Sequence, residues 1–123
     1  KIIFFLSNFI LMLEYLFPGS LLGCIIFNNC KIQPQITANF LISTNHLYSF
    51  LILSFIGFCT YRNSKYSNVL TKYLLTLSII LEVMHYFIPN RSFEYQDLFG
   101  NLAGVIIIII LFNLFKKYEE IKH

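Results

Sequence analysis

Glu82, His85, Arg91, Asp97 and Asn101 crowd into one short polar stretch of an otherwise apolar chain. A charged side chain at the middle of a transmembrane helix costs about 3 kcal/mol, so charges kept beside membrane-length segments signal chemistry or a specific partner. Glu82 and His85 are three residues apart and project from one helical face, and Pro89 closes that helix. Asp97 and Asn101 are four apart and share a face of the next helix, with Gly104 one turn deeper; Gly100 and Gly104 form a small-xxx-small pattern that lets another helix approach closely. Asp97 stands where a helix starts, and its expected local role is to cap the amides of that first turn.

Arg91 carries a rigid planar fork suited to a carboxylate or a phosphate. Two roles stay open for it. One is an ion-pair network with Glu82 and Asp97 that fixes the hairpin; the other is a polar pocket, open to the outer surface, that grips an anionic or hydrogen-bonding head group. His46 belongs to the outer end of an earlier helix and could join the cluster, and Glu14 could add a carboxylate at the same rim. Zinc asks for three or four ligands, which His46, His85, Glu82 and Asp97 could supply, but no paired His or Cys spacing supports it, and neither a metal nor a cofactor is assigned. The chain has no Gly-rich phosphate loop, nucleophile elbow or Ser/His/Asp signature, so no catalytic residue is assigned. Acid/base work by Glu82 beside His85 on a lipid-linked substrate is the one enzymatic reading left.

The elements that must position these groups are apolar. Of 123 residues 57% are hydrophobic and only 12% charged, too apolar a balance for a soluble domain of this size. Runs such as 102–115 are apolar on every helical face rather than along one stripe. The net charge of +3 is spread out, without a Lys/Arg cluster dense enough to follow a phosphate backbone, which argues against nucleic acid as a partner. Membrane lipids are the expected surroundings.

Apolar windows at about 2–22, 40–61, 69–88 and 98–115 predict an all-α, integral membrane four-helix bundle in a single domain, 1–123. The first window is read as a retained helix rather than a cleaved signal peptide, because no small-residue cleavage pattern follows it. Arg62, Lys65 and Lys72 gather around the second loop, with Lys1 at one end and Lys116, Lys117 and Lys122 at the other; the first and third loops hold only Lys31 and Arg91. Positive charge marks the cytoplasmic side, so both termini are expected inside (N-in/C-in) and the polar stretch near the outer face. With no Trp, Tyr15, Tyr48, Tyr61, Tyr86 and Tyr118 are expected as interfacial belt residues. Cys24 and Cys30 fall in one loop region, as free thiols or as a disulfide if that loop faces an oxidising compartment.

The run Glu82, His85, Phe87-Ile88-Pro89, Arg91, Asp97, Asn101 and Gly104 resembles the signature of VanZ-like membrane proteins: a helical acid, a short loop with Pro and Arg, then an Asp opening the next helix, then Asn and Gly. The resemblance covers about 81–105, with weaker support around His46. Two departures stand out: the family often has Gln where this chain has His85, and an Asp-Lys pair where this chain reads Ile42-Ser43-Thr44-Asn45 before His46. It implies a small multi-helix protein of the bacterial inner membrane, in a family linked to teicoplanin resistance. The expected site is Glu82, His85, Arg91, Asp97, Asn101 and His46, supported by Pro89, Gly100 and Gly104. The alternative is an accessory subunit that packs against a larger membrane complex through Gly100, Gly104 and the apolar wall 105–110.

Overall fold

In the computed structural model, which describes Lys1 to His123, the chain forms five α-helices and no strand: α1 (Ile2–Leu16), α2 (Leu21–Phe27), α3 (Thr44–Tyr61), α4 (Ser67–Met84) and α5 (Tyr95–Lys122). α4 and α5 are each long and apolar enough to cross a membrane; α1 and α2 together would make a third crossing, but the pair is bent by 88°.

That bend replaces the unbroken first helix expected over 2–22. Phe17 precedes Pro18, and the proline ring pushes the residue before it out of helical conformation; Phe17 is extended, with φ −70° and ψ 133°. Gly19 then turns the chain at φ +104°, where an added Cβ would lie 2.7 Å from the Cys30 carbonyl. Ser20 restarts the helix by accepting the Gly23 amide on its hydroxyl at 2.9 Å, and Asn28 ends it in the left-handed region. Cys24 and Cys30 are joined as a disulfide, which ties α2 to the strap that follows it; Cys59 is free.

Other helix ends also differ from expectation, for local reasons. α3 starts at Thr44 rather than near 40, since the Asn39 side chain accepts the Thr44 amide at 3.1 Å and holds the preceding residues off the helix. α4 stops at Met84 and tightens into a turn in which the Tyr86 and Phe87 amides bond carbonyls three residues back, so the chain has left the α-helix before Pro89. α5 runs past 115 to Lys122 because the tail is built of helix-forming Lys and Glu without Gly or Pro, and Lys122 suits the negative end of the helix dipole.

α3 and α5 form the most extensive helix pair. Gly100 and Gly104 make it possible. A Cβ on Gly100 would sit 2.6 Å from the Ser43 carbonyl, and one on Gly104 would sit 2.7 Å from the Leu47 carbonyl and 2.8 Å from the Leu51 amide. The expected close approach is therefore made, and it is made within the chain. Phe50, Leu53, Leu74, Leu81, Val105 and Ile108 fill the core. The exterior is apolar as well, with Phe5, Phe9, Ile52, Phe55, Ile80, Ile107, Ile110 and Leu114 exposed, as membrane integration requires.

Candidate functional site

Four helices bring polar side chains together at the end of the bundle where α3 and α5 begin and α1 and α4 finish. Asn101, fully buried on α5, is the hub. Its amide nitrogen donates to the Ser78 carbonyl of α4 at 3.1 Å, which fixes the direction of the side chain. Its oxygen accepts the Tyr15 hydroxyl of α1 at 2.6 Å and lies 3.0 Å from His46 Nδ1 of α3. The Tyr15 proton is committed to Asn101, and that oxygen can only accept, so the hydrogen bonds assign a proton to His46 Nδ1. His46 Nε2 is left to face Asp97 Oδ2 at 3.5 Å.

Glu82 and His85 lie beneath this layer. Both are buried, 0% and 1% exposed, and their Oε1 and Nδ1 are 3.2 Å apart. His85 Nε2 lies 3.0 Å from the Tyr15 carbonyl, an acceptor, and so carries a proton; a further proton is shared between Nδ1 and Glu82 Oε1. The Tyr15 and His85 rings stack, with centroids 5.8 Å apart. Glu82 Oε1 also accepts the Glu94 amide at 3.1 Å, so a carboxylate from α4 serves the amino end of α5. Glu82 Oε2 has no hydrogen-bond partner and lies 3.7 Å from His46 Nδ1.

Two expected roles are corrected by this geometry. Asp97 makes no hydrogen bond to the first-turn amides of α5; its carboxylate is turned toward His46, and Glu82 satisfies the amide of the helix-starting residue instead. Arg91 pairs with neither Glu82 nor Asp97. Its Nε donates to the Phe17 carbonyl at 3.2 Å and its Nη2 to the Glu14 carbonyl at 2.8 Å, two groups that the break at Pro18 leaves without helical partners. Burial lowers the pKa of this half-buried guanidinium, against the opposing pull of nearby Glu82, Asp97 and Glu14.

His46, Arg91 and Asp97 line a polar cavity of about 250 Å³, together with Glu14, Tyr15, Gln35, Asn45 and further neighbours. Glu82, His85 and Asn101 lie behind its wall. The strap between α2 and α3 roofs it through Asn45, which donates to the Pro34 carbonyl at 2.6 Å, and Thr44, which donates to the Thr37 carbonyl at 2.8 Å. Pro89 is exposed in the turn after α4 and contributes shape rather than contact. A larger depression of about 830 Å³ opens at the other end among Arg62, Lys65, Lys116, Glu119 and Glu120. No polar side chain lining it is buried, so it lacks the fixed donors and acceptors of a built site.

Searches for likeness give no match: no family model, no characterised protein and no solved structure matches the chain. Function therefore has to be argued from the geometry.

Tyr15 is the residue that sequence reasoning placed wrongly. Expected as a belt aromatic, it is 6% exposed and touches Asn101, His46 and His85. Its bond to Asn101 joins residues 86 positions apart, and no local periodicity carries such a pairing. The one available signal was its place beside Glu14, one turn before Pro18.

Proposed function

We propose that the chain is a VanZ-like integral membrane protein of the bacterial inner membrane, a four-helix bundle with both termini inside, whose outward polar cavity binds a lipid or cell-envelope head group. The observation that carries this reading is the convergence of Tyr15, His46, Glu82, Asp97 and Asn101 from four helices at one polar cavity, in a bundle whose helices expose apolar side chains between its two polar ends. The disulfide and the positive charges support the orientation: Cys24–Cys30 belongs to the cavity end, which oxidising conditions suit, and Arg62, Lys65, Lys116 and Lys117 belong to the other.

The cavity lining narrows the ligand. Arg91 is its one Lys or Arg, and its fork is engaged by α1 carbonyls, whereas Glu14 and Asp97 are carboxylates and Gln35, Asn39 and Asn45 are amides. A head group rich in hydroxyls, amides or amines fits this wall better than a bare anion.

Native mass spectrometry of the protein released from nanodiscs tests the reading, with Glu14→Gln and Asn45→Ala as probes on the wall. A co-purifying lipid or envelope precursor held by the parent and reduced severalfold in both variants is the expected result. Equal retention in the variants, or retention of bulk phospholipid alone, refutes it. The accessory-subunit alternative retains the exposed wall of Ile106, Ile107 and Ile110, but Gly100 and Gly104 are already packed against α3.

A further inference from the structure

We infer that His46, Glu82 and Asp97 form a binding site for a divalent transition-metal ion at the floor of the polar cavity. The inference stands on the geometry of the three side chains and does not depend on the identity of any head group.

The three residues come from three helices, α3, α4 and α5, which is why no sequence spacing announces them. One donor atom from each lies within 4.8 Å of the other two. A tetrahedral cation bound about 2.0–2.2 Å from each donor needs them about 3.4 Å apart, so the widest pair has to close by up to about 1.4 Å. His46 and Asp97 border the cavity and have room to make that adjustment.

Proton placement gives an independent reason. The bonds to Asn101 and Tyr15 put the His46 proton on Nδ1, so in the neutral ring Nε2 presents a lone pair to the Asp97 carboxylate at 3.5 Å. Two lone pairs facing each other are reconciled by a positive centre between them, a proton or a metal ion. Glu82 supplies the second sign of a ligand: Oε2 is fully buried and has no hydrogen-bond partner; it lies 3.7 Å from His46 Nδ1, so it reaches a metal at Nε2 only after the carboxylate or the ring turns. A buried carboxylate oxygen without a partner is costly, and coordination satisfies it.

The surroundings are those of a metal site. Asn101 would accept the proton of the ring nitrogen opposite the metal and hold the imidazole in one tautomer and orientation. The Glu94 amide and His85 hold the other oxygen of Glu82, fixing that carboxylate. Two carboxylates against one imidazole give the triad an anionic character that a dication offsets. One imidazole with two carboxylates favours Zn²⁺ or Mn²⁺ over Ca²⁺ or Mg²⁺, which prefer all-oxygen sets. Three protein ligands leave a coordination position toward the cavity, where water or a ligand oxygen would complete the shell.

The test uses the full chain in detergent, stripped with chelator and titrated calorimetrically with Zn²⁺ and, separately, with Ca²⁺. One Zn²⁺ per chain is expected, weakened at least about tenfold by Asp97→Asn and by His46→Gln, with Ca²⁺ binding far weaker. Glu119→Gln and His123→Ala, at the far end of the chain, should leave binding unchanged. Nitrogen NMR of the ring nitrogens then reads the site without any substitution, since the chain has 3 histidines. Zn²⁺ should move His46 Nε2 and leave His123 in place. Absence of Zn²⁺ binding by the parent, equal affinity in folded Asp97→Asn, or a response at His123 instead of His46 would each overturn the proposal; the first also assigns the His46–Asp97 contact to a proton.

Discussion

The two ends of the bundle handle charge in opposite ways. Where α3 and α5 begin, Glu82 is fully buried, Asp97 and His46 are largely so, and each carboxylate meets a side chain from another helix. At the other end Arg62 and Glu119 make one ion pair, 2.8 Å long, with side chains 39% and 51% exposed. The shorter pair contributes less. Exposed partners are screened by water and lose side-chain entropy on pairing, so their net value is about 0–1 kcal/mol, whereas breaking a buried arrangement strands a charge away from solvent. Burial and shared partners, rather than distance, mark the end where function is to be sought.

That contrast can be broken or sharpened by substitution, read as thermal unfolding in one detergent. Glu82→Ala should be the most damaging, by about 3 kcal/mol, because it strips His85 of its partner and frees the Glu94 amide. A transition unchanged from the parent would contradict the buried network. Gly104→Leu should cost about 2 kcal/mol, since its Cβ would strike α3 backbone that cannot swing aside as a flexible side chain can. Tyr15→Phe should cost about 1 kcal/mol, and a double-mutant cycle with Asn101→Ala should show coupling between them; additive losses would deny their bond. Arg62→Ala should fall below about 0.5 kcal/mol and vanish at high salt. A loss equal to that of Glu82→Ala would erase the distinction between the ends.

The helices and the polar stretch were legible in the sequence because both are local. Apolar windows of membrane length, the breaker Pro89, and the three- and four-residue spacings of Glu82, His85, Asp97 and Asn101 can be read along the chain, whereas Pro18 was read through as part of one helix. The partners of each group could not. Pairing with carboxylates was one of two roles open to Arg91, yet the break at Phe17 exposes carbonyls that claim its fork first, and that competition exists only once α1 lies beside the 85–94 loop. Asp97 was assigned a cap by position alone, while a residue from α4 reaches the same helix start. The disulfide, left open in the sequence, follows from the turn at Gly19 and Ser20, which brings Cys30 back alongside α2.

Gly100 and Gly104 do more than admit α3. Each accepts a different rung of that helix, Gly100 the level of Ser43 and His46 and Gly104 the level of Leu47 and Leu51, so together they work as a vernier that sets the height of α3. A slip of one helical turn, about 5.4 Å, would carry the imidazole out of reach of both carboxylates. Two residues without side chains thereby hold the alignment of a triad to which they contribute no atom.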